Sequence, residues 1–343
     1  MVSAIPSISS FDDIRQILNT LPGPDKAAAA LCAEREPQLT KPAGSLGRLE
    51  QLTSWLAAWQ HRAPPQIERP NCHVFAGNHG VVAKGVSAFP AEVTRQMVLN
   101  FENGGAAINQ LCETFGVGLC VEAMDLDNPT NDFTEGPAMS ERECVEAIWF
   151  GMNVVEETSD VVCLGEMGIG NTTAAAAICL ALYGGNAASW TGPGTGVSGP
   201  ALAHKAEAVA QGVRVNKAAM SDGLEVLRCL GGREMAALVG AVIGARLLNV
   251  PVLLDGFVCT AAVAPLRAIA GTALDHCKAA HVSAEPGHKA LLGKLEKKPL
   301  LDQGMRLGEA SGAVLAVALL KAAVACHTGM ATFADAGVSD KGA

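Results

Sequence analysis

Three short stretches carry the residues whose types and spacing could do chemistry. In Gly165-Glu166-Met167-Gly168-Ile169-Gly170-Asn171-Thr172-Thr173 a glycine-rich turn follows an apolar run and leads straight into an Ala-rich stretch from Ala174 to Leu182. Glycines in that position let backbone N–H groups face an anion at a helix N-terminus. The same composition also makes a tight strand-to-helix turn with no ligand. Glu166 favours a ligand, because a carboxylate is not required for turning. Beside a bound anion it would repel, so it is expected to face a hydroxyl or a base, and a ribose hydroxyl suits it.

The second stretch, Thr191-Gly192-Pro193-Gly194-Thr195-Gly196, is rigid at Pro193 and permissive around it. That composition serves close backbone approach to a ligand or simply a sharp loop. In the third, Leu307-Gly308-Glu309-Ala310-Ser311-Gly312, an acid sits among small residues just ahead of an Ala- and Val-rich helix too apolar for a surface. A buried carboxylate is costly without a task or a partner. On the residues alone, Glu309 serves either as an N-terminal acid stabilised by the helix dipole or as a catalytic group.

Other chemistries find little support. The dinucleotide fingerprint needs a glycine where Thr173 stands and an acid about 20 positions on, where the chain reads Ala188-Ser189-Trp190-Thr191. Gly293-Lys294 is followed by Leu295 and lacks the Ser or Thr of a Walker loop, so a mononucleotide phosphate is the remaining anion. Ser45, Ser87 and Ser311 have glycines nearby but none forms G-x-S-x-G, which argues against a covalent mechanism. Asp275, His276, His281, Glu285 and His288 fall within fourteen positions, yet their spacing matches neither H-E-x-x-H nor a zinc finger. His281 and His288 therefore read as loop histidines bordering the site or bonded in the core, and His79 is similarly ambiguous.

The elements that must position these residues follow a βα alternation. Short apolar runs at Cys72–Ala76, Val117–Val121, Asp160–Leu164, Val250–Leu254 and, less clearly, Ala280–Ser283 read as strands, with Ala-rich helical stretches between them. Such alternation implies a parallel sheet, with ligands beyond the C-terminal strand ends, where the loops from Gly77, Gly165, Asp255 and Ser283 should converge. Ahead of the first strand the chain reads as all-helical. Ser10 and Asp13 form a capping box for a helix Asp12–Leu21, Asp25 caps a second, and Ser45 is placed to cap a third carrying Leu49, Leu52, Leu56 and Trp59.

The 343 residues are 49% apolar, enough to bury a large core in one big α/β domain or a big and a small one. With 25 basic against 34 acidic residues and no basic run, nucleic acid is a poor partner. Met1–Ser10 lacks the basic and apolar regions of a secretory signal, and no uninterrupted apolar stretch reaches membrane-spanning length. A cytoplasmic enzyme without a membrane partner is expected. Eleven cysteines with no C-x-x-C pair read mostly as reduced core residues.

At these residues the sequence resembles the nicotinate-nucleotide:dimethylbenzimidazole phosphoribosyltransferases, the family that makes the lower-ligand nucleotide of cobalamin. The resemblance runs in order through Lys41–Gly47, Phe75–Gly80, Gly104–Asn109, Gly165–Thr173, Thr191–Gly196, Leu253–Phe257, His281–His288 and Met305–Gly312. It implies a Rossmann-like, mostly parallel sheet flanked by helices, with a small helical domain built from N- and C-terminal segments: residues 1–65 and 321–343 around a large domain of residues 66–320. It implies a homodimer, small-molecule substrates, and no metal or other cofactor. The implied general base is Glu309, with Glu166 as a second acid. The implied phosphate and ribose site is Gly168, Ile169, Gly170, Asn171, Thr172, Lys205 and Gly308, and the base would border Phe89, Met97 and Ser283. Phe89, in Val86–Pro90, stands where some relatives carry a small polar residue.

Overall fold

Ser10 opens the first helix as its side chain and spacing require. Its hydroxyl accepts the Asp13 N–H at 3.3 Å, and the Asp13 carboxylate accepts the Ser10 N–H at 3.0 Å. In this computed structural model, which describes residues 5–339, the helix is α1 (Phe11–Asn19). Residues 1–4 of the Met1–Ser10 segment, and 340–343, lie outside the described residues. Asp25 caps α2 (Lys26–Arg35) by accepting from Ala27 and Ala28. Ser45, expected to cap the third helix, does not: α3 (Arg48–Gln60) starts after Gly47 at φ +55° with no side-chain cap. Glu50 takes the Leu46 N–H instead at 3.1 Å, while Lys41, 2.8 Å away, anchors its carboxylate.

Five parallel strands form the sheet: β1 (Pro70–Ala76), β2 (Gly118–Ala123), β3 (Val161–Met167), β4 (Val252–Leu254) and β5 (Cys277–Ala279), in spatial order β2-β1-β3-β4-β5. Helices α4 (Glu92–Glu102) and α5 (Ala107–Phe115) link β1 to β2, and α6 (Glu141–Val154) links β2 to β3. Between β3 and β4 run α7 (Asn171–Tyr183), α8 (Ala187–Trp190), α9 (Gly199–Asn216), α10 (Gly223–Leu230) and α11 (Arg233–Leu247). The chain then adds α12 (Phe257–Ile269), α13 (Pro286–Lys294), α14 (Ser311–Gly329) and α15 (Phe333–Ala336).

The strands differ from the sequence expectation by one to three residues at most of their ends, and two of these differences bear on the site. β3 continues to Met167, because Gly165, Glu166 and Met167 keep their register opposite Val74, Phe75 and Ala76, so Glu166 is a strand residue and not part of the turn. The fifth strand is Cys277–Ala279, ahead of the expected Ala280–Ser283. Residues 281 and 282 leave the sheet because Leu301, returning from far along the chain, bridges His281 and accepts the Val282 N–H at 2.9 Å.

Both faces of the sheet are covered, which is why the strands read as continuous apolar runs and not as alternating ones. Phe75, Val162, Leu164 and Leu254 pack with α6, α7, α11 and α12. Cys72, Val74, Cys163 and Leu253 pack with α3, α5 and α14. Helix α14 is long and apolar enough by composition to cross a membrane, but here it lies against the sheet, α3 and α5. The two ends of the chain are tied together: Arg35 Nε donates to His327 O at 3.0 Å, Glu36 lies 2.7 Å from His327 Nδ1, and Leu39 bridges Thr332. All eleven cysteines are free, and all but Cys120 and Cys326 are buried.

Candidate active site

Strand order reverses between β1 and β3, and a cavity of about 400 Å³ opens beyond their C-terminal ends. Its walls come from the segment after β3, the 194–195 loop, the start of α12, the 281–285 segment, α4 with the loop before it, and residues 306–309. Loops far apart in sequence therefore converge as the parallel sheet requires, although Gly77 of the β1 loop does not line the cavity itself: its N–H donates to Met167 O at 3.0 Å and its carbonyl packs against Gly168.

Glu309 is 5% exposed and faces this cavity. Its backbone is left-handed, as are its neighbours' (Gly308 φ +84°, Glu309 φ +61°, Ala310 φ +59°). Such a run is strained for non-glycine residues, and the surroundings must hold it in place. Part of what holds it is the Glu309 N–H, which donates to Glu166 O at 3.2 Å, and part is Gly165, where a Cβ would come within 2.1 Å of Ala310 N. Glu309 stands just before α14, as the helix-dipole reading has it, but N–H groups of that helix's first turn bond to Asp255 and not to Glu309. From the loop after β4, Asp255 Oδ1 accepts the Gly312 and Ala313 N–H groups at 2.8 and 3.0 Å. Among the described residues none donates a hydrogen bond to the Glu309 carboxylate. Burial first, and the nearby Asp255 second, push its pKa up to about 7.

Glu166, 7% exposed, faces the same cavity from the end of β3 and accepts a hydrogen bond from Asn171 Nδ2. Burial, then Asp255 and Glu234, raise its pKa to about 8. At neutral pH it is therefore mostly a neutral acid, which removes the expected repulsion with a bound anion and supplies an O–H donor. Gly308 passes over it, and a Cβ there would meet Glu166 Oε1 at 2.8 Å.

The glycine-rich turn caps α7 through Gly170 in left-handed conformation, and Gly168, Ile169, Asn171 and Thr172 line the cavity. Three amides of this turn are already engaged: Ile169 donates to Thr94 Oγ1 at 3.1 Å, Asn171 to Gly168 O at 3.1 Å and Thr173 to Gly170 O at 3.0 Å. Gly170 and Lys205 stand one layer behind the wall. Lys205 is 1% exposed, and its Nζ donates to Thr172 Oγ1 at 2.8 Å and Gly192 O at 2.9 Å. Burial lowers its pKa to about 8, against the opposing pull of Glu285.

Phe89, Met97 and Ser283 also line the cavity, with Val93. Phe89 and Leu307 are 50% and 54% exposed, an apolar rim at the mouth. The Phe89 loop is tied across the site by Ser87 Oγ, 2.9 Å from Thr195 Oγ1. The histidines separate by role. His281 lines the cavity with Nε2 3.4 Å from Asp255 Oδ1, and that carboxylate outweighs burial to hold its pKa above the ordinary value. His288 accepts the Ser283 N–H at 2.7 Å, and burial, then His281, drop its pKa to about 3. His79 is in the core, 2.6 Å from Glu234 Oε1. His276 turns away to Arg246 and Val242 O, so the Asp275–His288 group does not gather into one ligand set.

Three contributors were given no role at this site by the sequence. Arg306 sits at the mouth with Nη1 3.1 Å from Gly194 O, and its signal in the sequence is a cation three places before Glu309, inside the Met305–Gly312 block. Glu285 accepts the Gly194 N–H at 3.0 Å. Glu234, fully buried on α11, acts from behind Glu166.

A parallel α/β sheet with a cavity at its switch point, faced by a helix N-terminus and two buried acids, places this chain among the α/β enzymes that bind a small molecule there. Residues 21–338 match the family model DBI_PRT, described as phosphoribosyltransferase, and the chain belongs to that family. Among its relatives, the nicotinate-nucleotide--dimethylbenzimidazole phosphoribosyltransferase of Ruegeria pomeroyi is 58% identical over 98% of this chain and 99% of that protein. The Rhizobium meliloti protein of the same name is 57% identical over 96% of this chain and 98% of its own. The crystal structure of CobT from Thermus thermophilus superposes with a TM-score of 0.84 at 40% identity, covering 91% of this chain and 99% of that one.

Proposed function

We propose that this enzyme transfers the 5-phosphoribosyl group of nicotinate mononucleotide to 5,6-dimethylbenzimidazole, giving α-ribazole 5'-phosphate and nicotinate, in assembly of the cobalamin nucleotide loop. The observation that carries the reading is Glu309: a buried carboxylate facing the cavity, with no described donor and a pKa raised to about 7. That combination is what a general base at neutral pH needs. The names of relatives such as the Ruegeria pomeroyi protein supply the substrates.

In this reading the phosphate lies against Gly168–Thr172 at the start of α7, with Lys205 behind Thr172. The neutral Glu166 carboxyl bonds a ribose hydroxyl, and the base slides between Phe89, Met97 and Ser283. One ring nitrogen attacks ribose C1 from the face opposite nicotinate, forming the new C–N bond with inversion. The bond from C1 to the pyridinium nitrogen breaks, and its electron pair cancels the positive charge there. The proton on the other ring nitrogen passes to Glu309. Positioning and one proton transfer suffice, since the leaving group is already activated. We also assign residues 1–65 and 321–343 to a small helical unit, supported by the ties of Arg35 and Glu36 to residue 327, and propose a cytoplasmic homodimer.

The test is to incubate the enzyme with both substrates and follow nicotinate release by chromatography and the anomer of the product by NMR. The reading expects nicotinate release that depends on the base, with an α-ribotide product. Release without the base, or a β-ribotide, would overturn it.

A further inference from the structure

Edge strand β2 and its neighbour β1 hold a second group of chemically capable side chains outside the cavity lining. His73 on β1 and Cys120 on β2 are direct partners in the parallel register, so they project from the same face, and Glu122 follows Cys120 by one strand repeat on that face. The Nδ1, Sγ and carboxylate atoms of the three lie within 4.8 Å of one another. Helices α6 and α11 cover this face over the central strands, but β2 is at the edge, where Cys120 is exposed and Glu122 half-buried.

His73 is the informative member. It is 4% exposed, its ring stacks on Phe75 with centroids 6.2 Å apart, and its Nδ1 is buried with no hydrogen-bond partner among the described residues. Glu122 Oε1 is near, at 3.5 Å, but outside hydrogen-bonding geometry. An orphaned ring nitrogen beside a thiol and a carboxylate is costly as a packing arrangement and ordinary as a ligand set. Imidazole, thiolate and carboxylate around a tetrahedral ion stand roughly 3.3–3.8 Å apart, so Cys120 and Glu122 need move by only about 1 Å. Glu156 adds further negative charge near Cys120.

We infer that His73, Cys120 and Glu122 form a binding site for one zinc-class divalent ion, completed by water, which clamps edge strand β2 to β1. Cys120 ligates as thiolate, releasing its proton to solvent, with no change of oxidation state.

The experiment titrates metal-stripped, untagged full-length enzyme with Co²⁺ and then Zn²⁺, reading the thiolate-to-cobalt absorption. In a Cys326→Ser background, which leaves Cys120 as the accessible thiol among the described residues, it also reads the rate of alkylation. The inference expects one equivalent of Co²⁺ to raise the band, Zn²⁺ to displace it and slow alkylation, and Cys120→Ser to abolish it. Glu122→Gln, at a half-buried position, and His73→Gln should each weaken affinity by at least roughly tenfold. No thiolate band, a band that survives Cys120→Ser, or unchanged affinity in Glu122→Gln would overturn it.

Discussion

Two acids facing one cavity differ in what their surroundings ask of them. Glu166, with Asn171 bonded to it and Glu234 behind it, has a pKa near 8 and stays mostly protonated at neutral pH; Glu309, with Asp255 behind it, has one near 7 and titrates there. The first suits holding a hydroxyl and the second suits taking a proton. Glu166→Ala is accordingly expected to lower kcat by disordering the ribose. Lys205→Ala should raise the nucleotide KM by about 10- to 100-fold, the value of one hydrogen bond involving a charged group, and change kcat less. Steady-state kinetics separate the two, and an unchanged KM in the lysine variant would contradict its role. At this scale the sequence was informative where chemistry and chain coincide: Glu309, Glu166, Gly168, Phe89, Met97 and Ser283 all reach the cavity. It was silent on Asp255 as the cap of α14 and on Arg306 at the mouth, because each acts on a partner more than fifty residues away.

The element that sets the site is the left-handed turn 308–310, pressed against the end of β3. Gly165 is there because any side chain would meet the backbone of Ala310, so Gly165→Ala must shift the turn that carries Glu309. Overpacking of this kind costs about 1–3 kcal/mol, which a domain this size can survive, while misplacing a catalytic group by about 1 Å can cost 10²-fold in rate. The variant is expected to fold by circular dichroism and to lose about that factor in kcat; full activity would contradict the account. Periodicity showed that a strand, a glycine turn and a helix follow one another here, but placed the strand's end three residues early at Leu164. What extends it through Glu166 is pairing with Phe75 and Ala76 on β1, which no local pattern contains. The misplaced fifth strand has the same origin, in the Leu301 segment that captures residues 281 and 282.

For the whole molecule, burying two acids with raised pKa values makes stability depend on pH in a definite direction. Between the ordinary carboxylate value of 4.5 and about 7 to 8, the folded state binds more protons than the unfolded chain, so stability falls as pH rises through that window. Each acid contributes up to about 1.4 kcal/mol per pH unit across its own part of the window. The melting temperature is expected to drop from pH 5 to pH 8, with a shallower slope in Glu166→Gln and Glu309→Gln; equal slopes in all three proteins would contradict the raised pKa values. Alternating strands and helices made the parallel sheet legible in the sequence. The order of its strands, and the ties joining residues 35 and 36 to residue 327, were not, since these depend on packing that no segment encodes by itself.

The central claim is that Glu309 is the base, and the pH dependence of kcat/KM for wild type beside Glu309→Gln tests it most directly. A base must be deprotonated and the neutral Glu166 must keep its proton, so the wild-type value should rise about tenfold per pH unit below pH 7, reach a narrow plateau, and fall again above about pH 8. The variant should lose at least about 10²-fold at the plateau and lose that acid limb while remaining folded. A variant that keeps both the plateau rate and the limb would assign proton acceptance to another group.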